Sequence, residues 1–501
     1  MVMKHRILAV TLCALSCATV CVAQGGGGFN SSRVKMGGNN SVFNQGRANN
    51  FNDYRQKLNA EYIKMTREAW QDFNAFKALL PPDRDDKPVT PIKMSEEDAK
   101  KDREDRQLTI ETVVTPVKPK PTPAPVAPVK ETPEATPQYV SFSYLGAPLK
   151  VRKPAGAALR LAKVNENGVA DAWETLCDQR YNNLVFDCLN LRKQQKLCDW
   201  AYLMMLQEMA AAYCGKGTNE ATLLMAFVYS QSGYKIRLGQ DGNRLEMLYA
   251  SQHSIYNRGY FTLDGEKFYT FNKDATSIRI CAAKYPKEQS LSLWVPQLPQ
   301  VPFQASQQRT LTSKRYSDVS IRVSENKNLM KFFDSYPTSE VGGNFMTRWA
   351  MYANTPICQE VRDELYPQLK RAITGVSELM AVEKLLNWVQ TAFVYEYDDK
   401  VWGGDRCLFA DETLYYPYCD CEDRSVLFTR LVRDLLGLKC ILIYYPGHIA
   451  AAVSFTQPVT GDYIQTGGKR FTVCDPTYIG APVGRTMSKK DNASAKVIIL
   501  E

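Results

Sequence analysis

The sequence predicts an α+β protein, and three observations carry that expectation. After Cys421 the apolar residues Val426, Leu427, Leu431, Val432, Leu435 and Leu436 form the stripe of a buried amphipathic helix, which Gly437 is placed to stop. Apolar, strand-like segments follow it, one after His448 and one at Phe471-Thr472-Val473. The same plan recurs upstream. Thr218-Asn219-Glu220-Ala221 opens an apolar helix that ends near Gly233, and residues 234–238 read as a strand.

The chain has 501 residues, enough for two or three domains and a large core. Hydrophobic content of 45% and charged content of 23% are ordinary for a soluble protein. Net charge is +9, but Lys4 and Arg6 fall in a segment expected to be removed. No stripe of Lys and Arg is visible, which argues against a nucleic-acid partner.

Residues 1–23 read as a secretory signal. Lys4, His5 and Arg6 form a charged start, residues 7–18 are apolar, and Cys21-Val22-Ala23 supplies small residues before Gln24. The apolar run is short for a membrane anchor. A lipid-modified Cys17 after Ala14-Leu15-Ser16 is an alternative. No later segment is apolar enough to cross a bilayer. The expectation is an exported bacterial-type protein, periplasmic or held at the cell surface, with no transmembrane segment after signal removal. Fourteen cysteines are present, and Cys13, Cys17 and Cys21 leave with the signal. The odd number that remains leaves at least one free thiol even where others are bridged in an oxidising compartment.

Residues 24–138 are expected to form a disordered arm. Its first part is rich in Gly, Asn and Ser. Residues 51–80 read as one amphipathic helix, with Leu58, Tyr62, Met65, Ala69, Phe73 and Phe76 as its stripe and Pro81-Pro82 as its stop. Residues 83–111 are highly charged. Residues 113–137 are proline-rich and read as a semi-rigid spacer that reaches on the order of 75 Å. An apolar face on such an isolated helix needs a cover, either this chain's own body or an envelope protein partner. Beyond the arm, residues 139–272 form a first α+β unit, 273–340 a β-rich module, and 341–501 a second α+β domain.

The chemistry-bearing residues lie in that last domain. Cys421 stands at a helix N-terminus, where the dipole and unpaired N–H groups favour thiolate. It reads as a nucleophile, as half of a disulfide, or as a metal ligand; Cys419-x-Cys421 is not the Cys-x-x-Cys spacing of a zinc knuckle. His448 follows Pro446-Gly447 and precedes Ala450, Ala451 and Ala452. It is either a satisfied core histidine or a base placed for close approach. The other histidine outside the signal is His253. Asp475, ahead of Pro476, either opens a turn or fixes an imidazole tautomer.

Asp420-Cys421-Glu422-Asp423, then Leu427-Phe428 and Leu431-Val432-Arg433 before Gly437, then Gly447-His448, then Asp475-Pro476-Thr477 resembles the transglutaminase-like superfamily. Trp388-Val389 through Phe393-Val394-Tyr395 resembles that family's leading helix. The resemblance covers residues 375–485 and rests on three short motifs in order. It implies a papain-like α+β fold, with Cys421, His448 and Asp475 as nucleophile, base and orienting acid. One departure stands two residues before Cys421, where that family usually has a small residue and this chain has Cys419. Residues 139–272 are then expected to be a degenerate, catalytically silent copy. Either Gly217 or Asn219 falls opposite Cys421, and neither carries a thiol.

The implied chemistry is acyl transfer on a protein or peptide substrate, with no metal or organic cofactor required. Release of the thioester by water makes a cysteine peptidase or amidase; release by an amine makes a protein-crosslinking transglutaminase. Trp402 is a candidate oxyanion donor. A non-catalytic scaffold of the cell envelope that keeps the fold is the competing class. An NlpC/P60-type endopeptidase suits the chain less well, because no second histidine follows His448.

Overall fold

The structure is a computed structural model that describes residues 40–81, 90–116, 120–154, 156, 158–272, 274–488 and 490–501, with side chains from residue 53 onward. The expected signal at 1–23 lies outside the described residues. Two β-sheets, each covered by helices, make a mixed α+β architecture.

The second sheet follows the Cys421–Leu436 helix. That helix starts on a capping box, in which the Asp420 carboxylate accepts from the Glu422 N–H and Asp423 accepts from the Asp420 N–H. It stops at Gly437, whose φ of +68° is left-handed backbone that glycine adopts without strain. Lys439–Tyr445, His448–Ser454, Asp462–Thr466, Lys469–Cys474 and Lys496–Ile499 then form five strands. Numbered in chain order, they lie side by side as 5-1-2-4-3, with every neighbouring pair antiparallel. The helix lies on the sheet and buries Val426, Leu427, Leu431 and Val432 against it.

The first sheet repeats this arrangement. Its helix is Asn219–Gln231, and the main strands that follow are Ile236–Asp241, Arg244–Ala250, Tyr260–Leu263, Glu266–Thr270 and Ser277–Cys281. Their order is again 5-1-2-4-3, again antiparallel throughout. In each unit a further helix packs beside the leading one, Asp199–Cys214 in the first and Glu378–Ala392 in the second. The two units therefore share one topology. The fifth strand carries the first unit past residue 272, so the boundary expected there cuts a sheet.

The expected β-rich module at 273–340 is correspondingly smaller. Arg309–Thr312 and Ser320–Val323 pair as a hairpin, Lys327–Ser335 is a helix, and Leu291 makes only a single bridge to Ser251.

The arm differs most from expectation. The helix runs Asn40–Glu68, and Trp70–Asn74 then becomes an edge strand paired antiparallel with Ser277–Cys281. Three residues apart on the strand, Trp70 and Phe73 face opposite sides and pack against different apolar clusters. The helix keeps its apolar face for its own chain. Leu58 and Tyr62 are buried, and the Tyr62 ring stacks on Trp173 and Tyr285, with centroids 4.7 and 4.4 Å away. Of the stripe expected over 51–80, Leu58 and Tyr62 are covered by this chain while Phe76 stays exposed.

Nor is the charged and proline-rich stretch a free spacer. Arg106–Gln107 and Thr112–Val114 add parallel strands to the two edges of the second sheet. Arg106 clamps Asp462 through two hydrogen bonds of 2.8 and 2.7 Å. Further on, the Val126 N–H donates to the Gln231 carbonyl, and Glu131 pairs with Arg152. Ala124 passes so close to Gly233 that a Cβ there would sit 2.0 Å from its carbonyl oxygen. An extended chain has unpaired N–H and C=O groups, and here sheet edges and a helix end satisfy them.

Tyr62 gives the direct check on the docked arm. Tyr62→Ala removes a buried aromatic from the stack with Trp173 and Tyr285 and is expected to cost about 3–5 kcal/mol. Urea denaturation of the two proteins measures it; an unchanged midpoint means the helix is not part of the fold.

Candidate functional site

The candidate residues lie at the start of the Cys421 helix, at the start of the second strand and just past the end of the fourth. Cys421 is the first helical residue and is fully buried. Ser425, one turn on, donates its hydroxyl to the Ile449 carbonyl at 3.0 Å. Ile449 follows His448, so the start of the helix and the start of the second strand are in contact.

His448 is joined to Asp475. The antiparallel register sets Ala451 opposite Cys474, which places His448 and Asp475 at the same end of neighbouring strands. His448 Nε2 lies 2.9 Å from Asp475 Oδ2, and both side chains are almost wholly buried. Burial alone would raise the Asp475 carboxyl. His448 outweighs it, helped by the Thr477 and Tyr478 N–H groups that donate to Oδ1, and holds the carboxyl below its usual range. An ionised carboxylate on Nε2 fixes the tautomer with the proton on Nε2. The lone pair is then on Nδ1, which is buried with no hydrogen-bond partner among the described residues.

Asp475 is held by a residue that sequence reasoning passed over. The Gln390 Nε2 group lies 3.0, 2.8 and 3.0 Å from the carbonyls of Asp475, Tyr478 and Ala481, and Gln390 Oε1 accepts from the Gly480 N–H. Arg424 in turn donates to the Gln390 and Phe393 carbonyls, tying the Cys421 helix to the end of the Glu378–Ala392 helix. Gln390 shares its mostly apolar run after Leu385 with a second polar residue, Asn387, so no local pattern singles it out.

The surroundings of Cys421 are acidic. Its Sγ lies 3.4 Å from Glu422 Oε2, a weak thiol donor against a carboxylate. Asp398, Asp420 and Asp423 approach one another nearby, all buried. Burial pushes the Asp398 and Asp423 carboxyls up, and neighbouring carboxylates add to it, so this cluster carries much less negative charge at neutral pH than its residue count.

The remaining sequence expectations fall as follows. None of the eleven cysteines from Cys177 to Cys474 is in a disulfide. Cys419 lies in a two-residue strand beside Val394, with Sγ 3.8 Å from the Val394 carbonyl. Trp402 packs against Tyr416 and under the Arg406 guanidinium. His253 is a buried histidine of the first unit, between Ser292 and Ser339, and burial pushes it down to about 4.

The first unit, with the same strand order, carries different residues at the corresponding places. By topology, Asn219 stands where Cys421 stands, Arg244 where His448 does, and Phe271 where Asp475 does. All three line one cavity of about 400 Å³. The Asn219 side chain bonds the Leu245 N–H and the Asn243 carbonyl, each at 2.9 Å, so the same helix start meets the same hairpin.

No known family model matches the chain, no curated protein matches it, and no solved structure matches it. Among the described residues no helix is long and apolar enough to cross a membrane.

Gln390→Leu removes the amide from the Ala481 carbonyl and the Gly480 N–H, and leaves the Asp475 and Tyr478 carbonyls with only their backbone donors. The expected cost is about 3 kcal/mol, measured by urea denaturation. Equal stability of the two proteins would mean that water replaces the amide and that Gln390 does not hold the loop.

Proposed function

We propose that the chain is a thiol-dependent acyl-transfer enzyme, a cysteine peptidase or amidase similar in plan to the transglutaminase-like superfamily. The observation that carries the reading is the buried His448–Asp475 pair beside the first turn of the Cys421 helix. Asp475 holds the imidazole so that Nδ1 is the basic nitrogen. Cys421 gives its proton to that nitrogen and its sulfur attacks an amide carbonyl. The C–N bond breaks and the imidazolium returns the proton to the departing amine. Water then attacks the thioester and gives its proton to His448; the C–S bond breaks, the acid leaves, and the imidazolium returns the proton to the Cys421 sulfur. The Cys421 backbone N–H is the natural donor to the oxyanion. The substrate is a protein or peptide. Export to the periplasm or cell surface completes the proposal, on the strength of the charged and apolar start of the sequence.

Full burial of Cys421 favours a second reading, a non-catalytic envelope scaffold that keeps the fold. The two readings part on reactivity. A cysteine-directed acyl probe, with labelled peptides mapped by mass spectrometry, is expected to mark Cys421 ahead of the half-buried Cys177 and Cys214. Cys421→Ala should remove that label and lower turnover of a small amide at least about 10³-fold. Labelling that spares Cys421 in a folded wild-type protein supports the scaffold and removes the enzyme.

A further inference from the structure

Away from the candidate site, Glu325, Cys358 and Asp411 meet in the interior, and nothing in the proposed chemistry uses them. Glu325 follows the hairpin strand Ser320–Val323. Cys358 caps the helix Gln359–Ile373, and Asp411 lies in the first turn of the helix Ala410–Tyr415. One ligand atom from each lies within 4.8 Å of the other two. Their exposures are 1%, 7% and 1%.

Glu325 is the anomaly. Both of its carboxylate oxygens are buried and neither has a hydrogen-bond partner among the described residues. The Asn326 N–H is turned toward it but outside hydrogen-bond geometry. A buried unpaired carboxylate is among the costliest groups a fold can carry. Protonation removes the charge but not the problem, because the acid then needs an acceptor for its O–H and a donor for its C=O. Burial and the nearby Asp411 both push the Glu325 carboxyl well up, and Glu364 adds to it. Among the described residues no guanidinium makes a hydrogen bond to Glu325. Arg309 donates to the Leu414 and Tyr416 carbonyls, and Arg362 to Gln359. Glu364 accepts from the Ser324 N–H and from Gln308.

We propose that Glu325, Cys358 and Asp411 form a structural site for a divalent metal ion of zinc type. A cation satisfies both Glu325 oxygens at once and offsets the charge of the two carboxylates. A thiolate among carboxylates selects a borderline ion; calcium and magnesium prefer oxygen alone. Bonds of about 2.0–2.3 Å draw ligands at this spacing together with small side-chain shifts. Asp411 is already oriented, because its Oδ1 accepts the Cys358 N–H at 3.0 Å. On binding, the Cys358 thiol releases its proton to solvent and its sulfur ligates the ion. The ion joins the hairpin to two helices, and the second of these packs on the Cys421 helix.

The test is metal content. Full-length protein is incubated with excess zinc chloride, desalted, and analysed by mass spectrometry of the elements. Wild type is expected to hold about one zinc per chain, and Glu325→Gln and Cys358→Ser less than about a fifth of that, with Cys421→Ala unchanged. A wild type without zinc, variants that hold as much as wild type, or loss confined to Cys421→Ala each overturns the site. Should the variants fail to fold, cobalt-loaded wild type decides. X-ray absorption with one sulfur in the metal's shell supports the site, and a shell of oxygen and nitrogen alone overturns it.

Discussion

The buried hydrogen bond between His448 and Asp475 sets the terms for the whole second unit. Both side chains are buried, and the hydrogen bond between them, together with the Thr477 and Tyr478 N–H groups on Asp475, supplies their partners there. Their meeting depends on register. His448 begins one strand and Asp475 follows the end of its neighbour, so a slip of one residue would turn one of them to the opposite face. Gln390 fixes the loop after Asp475, Ser425 fixes the start of the His448 strand, and Arg424 fixes the Cys421 helix to the helix carrying Gln390. The polar contacts form one connected frame around a single imidazole.

The first unit shows that the frame is separable from the chemistry. The same strand order and the same helix-to-hairpin contact persist with Asn219, Arg244 and Phe271 at the corresponding places. The topology persists with different side chains at the corresponding element ends, although Cys421, His448 and Asp475 are themselves buried. The N-terminal segment then crosses both units, as an edge strand and helix on the first and as two short strands on the second. It acts as a tie between them.

Much of this was legible in the sequence, for physical reasons that can be named. The Cys421 helix announced itself through a stripe of six apolar residues, an acidic first turn and a terminal glycine. The repeat upstream was visible because Thr218 and Gly233 punctuate a helix in the same manner, and the structure aligns Asn219, rather than Gly217, with Cys421. The arm was misjudged because proline and charge are read as solvated chain. Sequence composition does not reveal that sheet edges elsewhere lack partners and will take up an extended segment. Tyr62 looked like an exposed helical stripe in search of a cover, and its cover, Trp173 and Tyr285, lies more than a hundred residues away. Gln390 and Glu325 were silent for the same reason. Their significance comes from groups brought near by the fold, and no local pattern marks them.

The central claim is that the imidazole held by Asp475 draws the proton from Cys421. The rate of Cys421 alkylation by iodoacetamide, followed by peptide mapping as pH is varied, addresses it directly. With His448 as partner, the rate should rise with an inflection below about 8.5, the value of a free thiol, and His448→Ala should move that inflection upward and slow the reaction at neutral pH while the protein stays folded. Superimposable profiles for the two folded proteins would contradict the account.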